Sequence, residues 1–272
     1  MHFAQWQQLH GLLIGFAVAL GLALVGRFLR VTLLAAAAGG AGVVAGWYAI
    51  IGRLWTVSPQ PSADELTALA AIALLIGLLC IWLGPRGQAW IGVLLAALAT
   101  GWFLSGAPRH QAALRASWPV GLGVTVVTLL FGRALTVGAL EPMRLALAAL
   151  TLAVALHVAG APPLWMQLAM VPGLAALAMF ALPPMPGLAA LPVAIDVAAV
   201  GCLASIILGR LPRLGFAPAD AAALSPLLAV WLQPRTVERL RRVGHAAPLA
   251  GCLLAGAIAV GCVWLLRLSL TH

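Results

Sequence analysis

Polar and apolar positions along this chain are segregated into blocks. Ten apolar stretches follow one another, at 11–25, 31–51, 66–83, 89–104, 118–140, 143–159, 164–182, 187–208, 217–232 and 248–266. An α-helix rising about 1.5 Å per residue needs about 20 residues to cross a hydrocarbon core of about 30 Å. The blocks match that length, and the longest run without Asp, Glu, Lys or Arg, from Leu145 to Ile195, covers 51 residues. The pattern predicts an all-α, polytopic transmembrane helix bundle. The connections are short, so residues 1–272 read as a single integral membrane domain with no soluble domain.

Turn and cap signals punctuate the blocks. Ser58-Pro59-Gln60-Pro61-Ser62-Ala63-Asp64-Glu65 reads as a loop ending in an N-cap at Ser62, with acids in the first turn of the next helix. Gly-Arg recurs at Gly26-Arg27, Gly52-Arg53, Gly132-Arg133 and Gly209-Arg210, as expected where glycine ends a helix and arginine favours its negative end. Between Ala161 and Pro192 stand seven prolines, at 162, 163, 172, 183, 184, 186 and 192. Proline removes a backbone donor and clashes with the preceding turn. Segment 161–186 is therefore expected to be broken and re-entrant, and 217–232, with Pro218, Asp220 and Ser225-Pro226, to lie at the interface.

Charge placement bears on topology. All fifteen basic residues are arginine, and they stand at block ends, where they snorkel and set orientation. No arginine precedes the first block, so it reads as a retained span and not as a cleaved signal peptide. If all ten blocks cross, nine arginines fall inside and six outside. If 164–182 and 217–232 do not cross, the division is eleven against four. The stronger bias favours about eight spans (range 8–10) with both termini outside, in a bacterial cytoplasmic membrane.

Composition narrows the class. Charged residues make up 8% of the chain, against about 25% in soluble domains. A net charge of +9 would elsewhere suggest nucleic acid, but no basic face combines with aromatics here and no nucleic-acid partner is expected. Cys80, Cys202, Cys252 and Cys262 lie inside apolar blocks, as small hydrophobes do. Trp6, Trp47, Trp55, Trp90, Trp102, Trp118 and Trp165 stand near block ends and read as interfacial anchors. Small residues recur every fourth position at Gly11-Gly15-Ala19-Ala23, Ala38-Gly42-Gly46 and Gly251-Ala255-Ala259. Such stripes pack helices within a bundle, or join it to partner membrane proteins or a second copy.

Candidate chemistry centres on Asp196, ten residues into its block. A carboxylate at that depth costs at least about 2.5–3.5 kcal/mol, so it normally faces a cavity or a partner; Arg133 is the partner a structural role would use. His157 is followed by the proline-broken segment with Met166, Gln167 and Met170. Met166 and Met170 share a helix face, but no metal site is expected. No cofactor is expected either: a bis-His haem needs two histidines at matched depth. An intramembrane serine protease is excluded because residue 103 is Phe where its GxSG motif requires Gly. No catalytic constellation is found, so the chain is not expected to be an enzyme. Two functions remain. One is a small transporter whose substrate or ion site is formed by Asp196, His157, Gln167, Met166 and Met170. The other is a non-catalytic subunit or assembly factor of a larger membrane complex.

Overall fold

A computed structural model describes residues 2–53, 63–84, 88–108, 110–136, 142–179, 191–208, 218–239 and 247–271. Among these the chain is all-helical, with ten α-helices and no strand: α1 (His2–Phe28), α2 (Thr32–Ile51), α3 (Glu65–Leu79), α4 (Val93–Leu104), α5 (Gln111–Thr136), α6 (Pro142–Val158), α7 (Pro163–Ala178), α8 (Leu191–Ile207), α9 (Pro218–Arg239) and α10 (Ala247–Thr271). A 3-10 turn, Cys80–Leu83, extends α3, and a π-helical turn, Gln88–Gly92, leads into α4. Five stretches are long and apolar enough to cross a membrane: Leu9–Phe28, Thr32–Ile51, Glu65–Leu83, Gln111–Leu135 and Pro248–Ser269. This is compatible with an integral membrane protein.

Named contacts fix the register of consecutive helices. Gly11 of α1 meets Gly46 and Ile50 of α2, while Gly26 meets Ala35, so the two helices run antiparallel. Gly101 of α4 meets Gly121 and Thr125 of α5, and Gly132 meets Val93. Gly173 of α7 meets Ala146 and Ala149 of α6. At one end Arg267 of α10 donates to the Val158 carbonyl at the end of α6, which places a cation at a helix C-terminus. At the other, Arg144 Nε donates to Gln233 Oε1 at 2.8 Å.

Helix α9 departs from expectation. It was expected as a short element at the interface, but it is a 22-residue bundle helix packed against α6, α8 and α10. Its Asp220 accepts from Ser205 near the end of α8, while its Gln233 pairs with Arg144 at the start of α6. It therefore runs along the bundle.

Segment α7 also differs. Pro172 was expected to interrupt it, yet the helix is continuous from Pro163 to Ala178. In a regular helix the Leu168 carbonyl accepts from the amide of residue 172, which proline lacks. The Trp47 indole Nε1 donates to that carbonyl at 2.9 Å. The same device recurs at Pro226 in α9, where Ser225 Oγ donates to the Ala222 carbonyl at 2.8 Å. Trp47 is thus fully buried and not an interfacial anchor, and Trp165 is also buried, whereas Trp82 and Trp118 are exposed. Pro183, Pro184 and Pro186 lie outside the described residues, as does Ser62; α3 begins at Glu65 with Asp64, not Ser62, in the N-cap position.

The small-residue stripes are used inside the chain. A methyl group on Gly42 would sit 2.6 Å from the Gly15 carbonyl oxygen, and one on Gly46 2.6 Å from Val171. Gly251 of α10 lies as tightly on Val237 of α9, and Ala255 and Ala259 are fully buried. Such close approach lets backbones pack without intervening side chains.

Two outcomes test this packing in detergent denaturation. Trp47→Phe should destabilise the protein by about 1–3 kcal/mol by leaving the Leu168 carbonyl unpaired. Pro172→Ala, which restores the amide donor, should recover much of that loss in the double variant; strictly additive effects would show that Trp47 does not serve this carbonyl. Gly42→Ala should cost about 1–3 kcal/mol by overpacking, while Gly21→Ala, with nothing within 4 Å of its added carbon, should be neutral or slightly stabilising.

Candidate functional site

Helix α8 occupies the middle of the bundle, packing against α2, α3, α4, α5, α6, α7 and α9. Every residue from Leu191 to Ser205 is buried. It has no face for lipid, whereas the outer helices expose Leu13, Phe28, Trp82 and Leu265. Small side chains make this possible: Ala194, Ala198, Ala199, Gly201 and Ala204 let neighbours approach from all sides. Gly201 contacts Ala223 of α9 and Leu152 of α6.

The depth of α8 follows from its contacts. Pro192 packs against Gly40 of α2 and Gly77 of α3. Gly40 lies eight residues, about 12 Å, inside the Thr32 end of α2. Gly77 lies six residues, about 9 Å, inside the Leu83 end of the α3 stretch. One turn further on, Ile195 clusters with Ala73 and Ala96, and Ala73 is the ninth of the 19 residues from Glu65 to Leu83. Asp196 is therefore at half depth.

At that level Asp196 is fully buried, and neither carboxylate oxygen has a hydrogen-bond partner among the described residues. Arg133 is not its partner: the guanidinium lies 3.6 Å from the Trp90 ring centroid. A buried polar group without a partner costs about 1–3 kcal/mol on mutational scales, and a charge costs more. Packing alone does not account for an aspartate here.

A second polar group shares the layer. Thr128 of α5 is fully buried and its Oγ1 likewise has no partner. Gly101 on Thr125 and Gly132 on Val93 bracket it level with Ala96 and Ala97, and the adjacent Leu129 packs on the cluster that holds Ile195. The sequence reading missed Thr128, since a threonine in an apolar helix ordinarily bonds its own backbone, as Thr100, Thr125 and Thr151 do.

The other sequence candidates lie elsewhere. Gln167 has a buried, partnerless Oε1, but it precedes Leu168, which is held by Trp47. That level is about 8 Å, or five to six residues, from the centre of α2. Met166 and Met170 are half-buried against the apolar core. His157 is exposed on the last turn of α6. The structure thus sets Asp196 and Thr128 at one level of the bundle, Gln167 nearer one end, and His157 at the surface. Among the described residues no three His, Cys, Asp or Glu side chains gather to hold a metal ion. None of the cysteines forms a disulfide among the described residues; Cys80, Cys202 and Cys252 are buried, while Cys262 is exposed. No protein-family model matches the chain, and no curated protein or solved structure is significantly similar to it.

The partnerless aspartate makes a sharp stability test. Asp196→Ala should raise the unfolding midpoint in detergent, because it removes an uncompensated polar group, by an amount of about 1–3 kcal/mol less any cavity cost. A loss of several kcal/mol would instead assign Asp196 a structural partner.

Proposed function

We propose that the chain is a small multi-pass transporter of a bacterial cytoplasmic membrane in which Asp196 is the coupling site. One observation carries this reading: a fully buried, partnerless carboxylate at half depth in the central helix. Such a group is compensated by a positive charge that arrives and leaves, either a proton or a small cation. Thr128, in the same layer, supplies a hydroxyl to help receive it. Asp196 and Thr128 are both fully buried, as the groups of a site held between two openings would be.

The helix register supports ten segments threading alternately through the bundle, with both termini on one side. Arg27, Arg133, Arg144 and Arg235 then share the opposite end with the other inward arginines, nine in all, against six. That bias supports a cytoplasmic assignment for the arginine-rich end and a periplasmic one for the termini. The competing reading, a docking subunit of a larger complex, drew on small-residue grooves open to other helices. The stripes on α1, α2 and α10 are covered within the chain, so that support is weaker.

Pre-steady-state electrical recording tests the coupling site without a known substrate. A pH jump applied to proteoliposomes on a solid-supported membrane should produce a transient charge movement with the wild-type protein. Asp196→Asn, reconstituted in equal amount and with unchanged helicity, should produce none. An undiminished transient in that variant would refute the mechanism.

A further inference from the structure

A second, separate site opens on the side of the bundle. The floor of this groove is α9, with α5 on one side, α10 on the other and the start of α6 closing one end; its volume is about 1020 Å³. Its walls are apolar, with Leu130 of α5, Leu224 and Leu227 of α9 and Val263 of α10 among them. Polarity concentrates at one end, where Arg133 and Arg144 both line the groove. A third guanidinium, that of Arg235, lies 3.8 Å from the centroid of Trp231, whose ring forms part of the wall. Among the described residues no aspartate or glutamate lines it.

The dimensions select an occupant. From Gln233, beside Arg144, to Ala221 at the far end of the lining is twelve residues of α9, about 18 Å. That is slightly more than half of a hydrocarbon core of about 30 Å, the reach of an acyl chain in one leaflet. The charge is one-sided, and the arginine end is the one where cytoplasmic-leaflet anionic lipids impose a negative surface potential. Arg144 commits one of the five N–H donors of its guanidinium to Gln233, a bond that orients the planar head at the mouth of the groove.

We propose that this groove binds an anionic phospholipid, with an acyl chain along α9 and the phosphate among Arg133, Arg144 and Arg235. Basic pockets between transmembrane helices on the cytoplasmic side recognise such headgroups. The site does not depend on the role given to Asp196.

Native mass spectrometry of the delipidated full-length protein in detergent, titrated with palmitoyl-oleoyl phosphatidylglycerol or the matching phosphatidylcholine, tests the proposal. The protein should carry one phosphatidylglycerol at concentrations where phosphatidylcholine adducts are scarce. Arg133→Gln should weaken the phosphatidylglycerol adduct by about fivefold, the share expected of one arginine at an anionic surface. Leu130→Trp, which leaves every arginine in place and alters a half-exposed side chain, should displace the lipid by filling the groove. Equal adducts of the two lipids would overturn the proposal, as would an adduct indifferent to Leu130→Trp. A protein dimer that Leu130→Trp dissolves while lipid adducts persist would assign the groove to a second copy instead.

Discussion

The bond from the Trp47 indole to the Leu168 carbonyl holds together two features that would otherwise conflict. Inside an apolar bundle there is no water to receive a backbone group released by proline, so each carbonyl that proline strands must find a donor in the protein. Trp47 supplies that donor from α2, and in doing so joins the α1–α2 hairpin to α7. Gly46 and Gly15 leave room for Val171 next to this bond. With α7 anchored, the space it bounds is filled by α8, and the position of Asp196 follows. The fold thus relies on helices that satisfy their own ladders almost everywhere and on a few side chains that mend them where they fail.

Polar groups in this protein fall into two sets. Ser205 with Asp220, Arg144 with Gln233, and Thr236 with the Gly251 carbonyl are partnered and tie neighbouring helices. Asp196 and Thr128 in the middle of the bundle, and Glu65, Thr67 and Gln167 nearer its ends, hold buried oxygens without hydrogen-bond partners among the described residues. The first set serves packing. The second carries a cost that packing does not repay, and such exceptions concentrate where a protein does its work.

Much of this was legible in the sequence because membrane helices announce themselves by length and composition. The ten apolar blocks correspond to the ten helices, and Asp196 stood out as a carboxylate ten residues deep in one of them. What periodicity does not reveal is which side chain repairs which helix. Pro172 reads as a break because the rule that proline ends a helix is local, while its remedy, Trp47, lies 121 residues away. Trp47 itself reads as an interfacial anchor for the same reason: nearness to a block end does not show which face a side chain takes. The 217–232 block was judged by its prolines and acid, whereas burial of Asp220, Ser225 and Gln233 against α6 and α8 keeps it in the bundle. Thr128 was invisible because nothing local separates a threonine that bonds its own helix from one that does not.

The enclosure of α8 has a consequence for how the molecule is made. A helix buried on every side from Leu191 to Ser205, and bearing a carboxylate at its sixth residue, is a poor independent span, since a helix that enters a bilayer alone must offer lipid an apolar surface all round. Of the helices that enclose it, α2 to α7 precede it in the chain and only α9 follows. Synthesis proceeds from the N-terminus, so α8 emerges when six of its seven neighbours already exist. The order of the sequence lets the least lipid-compatible segment arrive at a nearly finished cradle, with α9 closing over it last.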